Sequence, residues 1–135
     1  MDVSIFAFSV GDYIGGLNFD HVEHVEEQSN VSGEVRERSL RVGDEILPLV
    51  DLRTWFGVKG LLPAGGRVFV WDVNRRVFVV DEALKVIHLS AGDIHPLPPY
   101  IFQKERPFRG LFPYENQWGL LLEENAEHAA YAQVG

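Results

Sequence analysis

Two histidines and a glutamate fall within four residues at His21-Val22-Glu23-His24, the densest group of metal-binding side chains in the sequence. On a helix His21 and His24 would converge, but the neighbouring valines and phenylalanine favour a strand, on which the two histidines lie on opposite faces. A zinc site also needs a third and a fourth ligand, and the spacing identifies neither. We therefore expect no metal ion here, and no other cofactor.

Nucleophilic and acid–base catalysis also lack their usual arrangements of residues. The chain has no cysteine, and none of its serines lies in a Gly-x-Ser-x-Gly turn. The adjacent carboxylates Asp44-Glu45 and Glu123-Glu124 fall in a turn and at the end of an element, as solvated charges do. Neither glycine-bearing segment, 11–16 or 57–66, matches a phosphate-binding loop. We expect no catalytic residues, so the chain is predicted not to be an enzyme, and a binding role becomes the default.

Length and composition narrow the class of protein further. The 135 residues fit a single domain spanning 1–135. Twelve Lys+Arg against 20 Asp+Glu give a net charge of −8, which repels phosphate backbones, so nucleic acid is not an expected partner. Apolar runs such as Val77–Val80 are far shorter than the roughly 20 residues of a membrane-spanning helix, so no membrane insertion is expected. Without cysteine or a secretion signal, a cytoplasmic location is expected.

Short runs of β-branched and aromatic residues, separated by turn residues, dominate the chain. Four pairs of such runs flank short turns and are predicted to form β-hairpins. Their turns are Gly11-Asp12, Gly43-Asp44, Val73-Asn74 and the segment 113–117. Two further runs, 21–25 and 84–89, are also predicted strands. Many short strands with no long helix among them predict an all-β barrel or sandwich.

One short helix is predicted after the second hairpin. Leu52, Trp55 and Phe56 recur at i, i+3 and i+4, with Asp51 as a possible N-cap and Gly57 as a stop. We expect Asp51 to cap this helix and Arg53 to be solvated or paired locally.

Other signals concern single positions and short segments. Pro48 cannot donate to a β ladder, so its strand is expected to lie at a sheet edge or to carry a bulge. Segment 90–93 predicts a capped single turn, 94–100 an extended stretch and 123–131 a short terminal helix.

Most aromatic residues are expected to fill the barrel core, and Trp118, beside a turn, is the one whose exposure needs checking. The aromatic residues assigned to the core are Trp55, Phe56, Phe69, Trp71, Phe78, Phe108, Phe112 and Trp118.

Several segments, taken in order, resemble the CheW-like family of chemotaxis coupling proteins. The most recognisable runs from Asp44 to Arg53, an apolar strand that passes through proline into Asp-Leu-Arg. Further segments accompany it, and together they extend from Ile5 to Leu122. They are 8–12 with 16–18, the strand at 21–25, the strand, turn and strand at 79–87, the turn and prolines at 90–98, and the closing hairpin at 110–111 and 118–122.

The resemblance implies two interlocked five-stranded SH3-like β-barrel lobes with short helical turns and a short C-terminal helix. It implies no catalysis, because family members are adaptors that link the cytoplasmic tips of chemoreceptors to the regulatory domain of a CheA-type histidine kinase. The strand around Val22 falls where the family contacts receptors, so Val22, His24 and Val25 are predicted partner-binding residues. In the family an arginine-glycine pair commonly precedes the proline strand, and that arginine matters to coupling. This chain has Gly43-Asp44 in that place, with Arg41 two residues upstream, so Arg41 is the fourth predicted partner-binding residue.

Two other interpretations stay open. Without an arginine directly before the proline strand, the chain is also consistent with a divergent CheW-like module that docks another signalling partner. A small β-barrel that binds a ligand or metal through residues 21–24 is the alternative from a different class of function.

Overall fold

Strands make up most of the computed structural model, which describes residues 2–36, 38–59, 66–97 and 108–123. Within these ranges the strands are β1 (Asp2–Val10), β2 (Tyr13–Asn18), β3 (Val22–Glu27), β4 (Glu34–Val35), β5 (Ser39–Val42), β6 (Glu45–Asp51), β7 (Val68–Asp72), β8 (Arg76–Val80), β9 (Glu82–Ser90), β10 (Phe108–Tyr114) and β11 (Gln117–Leu122). One α-helix, α1 (Leu52–Phe56), follows β6, and single 3-10 turns cover Phe19–His21, Gln28–Asn30 and Ala91–Asp93.

The strands form two sheets, one for each lobe. The first lobe has the strand order β10-β11-β2-β1-β9, and the second has β3-β7-β8-β6-β5-β4. All four predicted hairpins are present, as the antiparallel pairs β1–β2, β5–β6, β7–β8 and β10–β11. The all-β, two-lobed fold expected from the resemblance is therefore confirmed, with the two-residue strand β4 giving the second sheet a sixth strand.

Each sheet also contains one parallel pair that joins strands distant in sequence. β11 pairs with β2 in the first lobe, and β6 pairs with β8 in the second. The second of these pairs makes the expectation for Pro48, an edge strand or a bulge, wrong, because β6 lies inside the sheet and its pairing with β5 and β8 has no register shift. Glu45–Pro48 pairs with β5 and Leu49–Asp51 pairs with β8, so Pro48 sits where the pairing changes sides. A residue without an N–H is tolerated at such a point because only one neighbouring strand pairs with it there.

The buried apolar side chains of the described residues form three clusters. One fills the first lobe around Ile5 and Phe112, and another fills the second lobe around Leu40 and Phe69. The third and largest lies between the lobes and takes residues from both sheets and from α1, Phe8 and Phe78 among them. Strands β1 and β8 contribute to two clusters each, through alternate residues, which explains the uninterrupted apolar runs at 5–8 and 77–80.

Helix α1 forms as the sequence predicts. The Asp51 carboxylate accepts a hydrogen bond from the Arg53 backbone N–H at 3.0 Å, and Gly57 ends the helix with φ of 69°. Residues 90–93 form the predicted capping box, in which Ser90 and Asp93 cap each other's backbone. The predicted terminal helix at 123–131 lies outside the described residues, apart from Glu123.

Candidate functional site

Strand β3 carries three of the four predicted partner-binding residues, and a β-bulge determines which way each one faces. Val22 is opposite Asp72 on β7, but His24 is opposite Trp71, so the register shifts between Val22 and His24. The extra residue is Glu23, and it breaks the simple alternation of a strand. As a result Val22 and Val25, three positions apart, lie on the same face, and His24 and Glu26 lie on the other.

Val22 and Val25 face the core between the two lobes. Both are half-buried and pack against the large cluster that joins the sheets. β3 pairs with β7 and is one of the two edge strands of the second sheet in the described part of the chain. The two valines therefore form an apolar rim at the junction of the lobes, partly open to solvent. That Val22 and Val25 bind a partner stays a prediction.

His24 and Glu26 line a groove on the other side of β3, which we call the second-lobe groove. His24 Nε2 lies 3.1 Å from Glu26 Oε2, and the His24 ring lies 5.0 Å from that of Trp71. The groove encloses about 260 Å³ and opens onto the second-lobe core. Its apolar lining is formed by Val31, Val42, Leu47 and Trp71, and its polar lining by His24, Glu26, Ser32, Glu45 and Arg75.

Arg41 lies on a third surface. It is exposed on β5, where its register partners are Glu34 on β4 and Ile46 on β6, itself 65% exposed. The Arg41 Nε donates a hydrogen bond to the Gly43 carbonyl oxygen at 3.2 Å, so the side chain holds the turn that precedes the proline strand. The four predicted residues thus do not form one patch. The inter-lobe rim holds Val22 and Val25, the second-lobe groove holds His24, and the outer wall of the second lobe holds Arg41.

A buried ion pair at the lobe junction was not expected from the sequence. Arg53 on α1 is only 9% exposed, and its Nε and Nη2 donate to the two carboxylate oxygens of Asp81 at 2.9 and 2.8 Å. The same carboxylate accepts from the Gly11 backbone N–H at 2.7 Å, in the β1–β2 turn of the first lobe. The expectation that Arg53 is solvated or paired locally is therefore wrong. The signal available in the sequence was a charged residue directly after the fully apolar run Val77–Val80.

Trp118 and Tyr13 are exposed aromatic residues on neighbouring strands of the first lobe. Trp118 on β11 is 54% exposed and packs edge-on against His95 at 5.1 Å. Tyr13 on β2 precedes Ile14, the parallel partner of Gly119, so it lies level with Trp118 on the neighbouring strand. Of the eight aromatic residues assigned to the core, Trp118 is exposed and Trp71 is half-buried, and the other six are buried.

The histidine group of the sequence is divided between two elements. His21 ends the 3-10 turn that precedes β3, and His24 lies on the groove side of that strand. Among the residues that the structure describes, no three His, Cys, Asp or Glu side chains are grouped as metal ligands. In the same ranges, no helix has the length and apolar character needed to cross a membrane.

Comparison with known proteins assigns the family. The chain matches the CheW-like domain family over residues 4–126, and it therefore belongs to that family. No match was found among curated protein sequences.

A solved structure with the same fold is the scaffolding protein TtCheW from Thermoanaerobacter tengcongensis. It is 20% identical to this chain and superposes with a TM-score of 0.74, over 94% of this chain and 97% of the other. At 20% identity the structural similarity establishes the fold alone, and no residue role is transferred from one protein to the other.

Proposed function

We propose that this chain is a non-enzymatic chemotaxis adaptor that couples the cytoplasmic tips of chemoreceptors to the regulatory domain of a CheA-type histidine kinase. Membership of the CheW-like family supports the adaptor class. The observation that carries the proposal is the half-buried pair Val22 and Val25, which the bulge in β3 aligns at the junction of the two lobes. An adaptor of this kind acts in the cytoplasm, where receptor tips and kinase meet.

An apolar rim beside a rigid core is suited to a helical partner. Protein interfaces have an apolar centre and a polar edge, and Val22 and Val25 are flanked by the exposed carboxylates of Glu23 and Glu27. An amphipathic receptor helix would place its apolar stripe against the two valines and its polar flanks near these glutamates.

The experiment is a binding measurement with a receptor-tip fragment and a kinase regulatory domain, each tested separately. We expect Val22→Glu to weaken receptor binding at least about tenfold, because it buries a charge in the apolar contact, while kinase binding persists. Val35→Glu is the matched control, since Val35 is an exposed valine on β4. If Val22→Glu strongly lowers the melting temperature, receptor binding is measured with the milder variant Val22→Thr instead. Wild-type protein that binds neither fragment would contradict the proposal.

A divergent role is the second candidate, and the turn before the proline strand favours it. Gly43 stands where the family commonly has an arginine. Its φ of 63° is a conformation that glycine adopts freely and in which an arginine would be strained. Arg41 supplies the nearest guanidinium, and it holds this turn through the Gly43 carbonyl. A kinase-activity assay of reconstituted receptor, kinase and adaptor separates the two roles. If wild-type protein binds both fragments but never alters kinase output, the divergent role holds.

A further inference from the structure

We propose that the second-lobe groove is a binding site for one cationic side chain, a lysine or an arginine, presented by a partner protein. The groove lies on the opposite face of β3 from Val22 and Val25. The inference therefore goes beyond the proposed function and does not depend on it.

The size of the groove sets the size of its occupant. Pockets that bind whole small molecules enclose about 300–1,000 Å³, and this groove encloses about 260 Å³. It is therefore suited to one long side chain rather than to a complete cofactor or metabolite.

The lining of the groove matches the two ends of such a side chain. Lysine and arginine have an aliphatic stem and a charged end, and they bury the stem on apolar surface while the charge stays near water. Here Val31, Val42 and Leu47 provide apolar lining for the stem. The carboxylates of Glu26 and Glu45 belong to the polar lining, where the charged end would lie.

Each of these two carboxylates already has one partner within the chain. The His24 ring lies against Trp71 while its Nε2 contacts Glu26 Oε2, and the Arg75 guanidinium pairs with Glu45 Oε2. A carboxylate has two oxygens and accepts about four hydrogen bonds, so each glutamate has acceptor sites left for a further donor. Trp71 adds an aromatic face, which attracts cations through the ring quadrupole.

Charge also distinguishes this occupant from the alternatives. The groove is lined by two carboxylates, Glu26 and Glu45, and one guanidinium, Arg75, so an anionic group would meet more negative than positive charge. A purely apolar side chain would fit the apolar lining but would remove the carboxylates from water without compensation. A cationic side chain satisfies both parts of the groove.

The test uses two small probes with the full chain, N-acetyl-arginine amide and its neutral isostere N-acetyl-citrulline amide, followed by amide NMR shifts. We expect the arginine probe to give saturable shifts at Glu26, Glu45 and the Trp71 indole N–H, and the citrulline probe to give none. Equal shifts with both probes, or shifts spread evenly over all acidic residues, would overturn the proposal.

Variants assign the binding to the two carboxylates. Glu26→Gln combined with Glu45→Gln should weaken arginine binding about fivefold, because each substitution removes a partly exposed charge. Glu115→Gln is the matched control, since Glu115 is an exposed carboxylate on the first lobe that pairs with Lys85, and it should leave the affinity unchanged. If the double variant unfolds, Glu26→Gln alone should weaken binding about twofold. Unchanged affinity in a folded variant would refute the site.

Discussion

Arg53 and Asp81 are 28 residues apart in sequence, yet their side chains form a two-point ion pair at the junction of the lobes. Arg53 belongs to α1 of the second lobe, and Asp81 lies between β8 of the second lobe and β9 of the first. The Asp81 backbone N–H donates to the Ser9 carbonyl at 2.9 Å, and its carboxylate accepts from Gly11. A single aspartate therefore connects the helix of one lobe to the first hairpin of the other.

Removing the guanidinium should destabilise the whole fold. Arg53→Met keeps the aliphatic stem and leaves the buried Asp81 carboxylate without its ion-pair partner. Breaking one side of a buried ion pair costs about 3 kcal/mol in the free energy of unfolding, which urea denaturation measures. Arg36→Met is the control, because Arg36 pairs with Glu34 on the surface, and we expect a loss below about 1 kcal/mol. Equal losses in the two variants would show that solvent screens the Arg53–Asp81 pair.

The Arg53–Asp81 ion pair should keep its contribution to the free energy of unfolding as the pH rises. The hydrogen bond to Asp81 raises the pKa of Arg53, with the nearby charges of Asp81 and Asp51 adding to the rise and burial opposing it. A pKa raised by folding gives stability that is complete below the unfolded value and is lost only as the pH rises through the folded value. The difference in unfolding free energy between wild type and Arg53→Met should therefore stay constant from neutral pH to about pH 10. A difference that shrinks across that range would contradict this assignment.

The β1–β2 turn provides a test of the close contact beside the ion pair. Gly11 has φ of 60°, and a Cβ there would lie 2.8 Å from Val58 Cγ1. Gly43 has nearly the same backbone, with φ of 63°, but a Cβ there would meet nothing within 4 Å. We expect Gly43→Ala to cost about 1 kcal/mol of backbone strain, and Gly11→Ala to cost about 1 kcal/mol more from the clash. Thermal unfolding of the two variants gives the comparison, and equal losses would mean that Val58 moves aside freely.

Local features of the fold were predictable from the sequence because neighbouring residues determine them. The hairpin turns at 11–12 and 43–44 contain glycine, whose positive φ the turns use. Helix α1 has its cap, its apolar spacing and its terminating glycine within seven residues, Asp51–Gly57. Hydrophobic patterning alone predicts only an all-β barrel or sandwich. The arrangement into two lobes comes from the family resemblance.

Features that join distant residues were not predictable in this way. The parallel pairs β11–β2 and β6–β8 leave no local mark in the sequence, so Pro48 alone predicts an edge strand or a bulge and not the strand inside the sheet that is found. The bulge in β3 reverses the facing of the residues after it, and no turn residue marks its position at Glu23. The apolar run before Asp81 marks it as a charge beside the core, but no pattern in the sequence identifies Arg53, 28 residues away, as its partner.

Trp118 and Trp55 are tryptophans in opposite environments, and fluorescence should distinguish them. Trp118 is 54% exposed beside His95, while Trp55 is 6% exposed and packs edge-on against Phe78 at 5.7 Å. Trp118→Phe should remove most of the fluorescence that acrylamide quenches and should change the unfolding free energy by only about 0.5 kcal/mol. Trp55→Phe should retain the quenchable fluorescence and cost more stability, because it leaves a cavity in the core between the lobes. If Trp118→Phe leaves quenching unchanged, Trp118 is shielded from solvent, which would contradict its exposed position on β11.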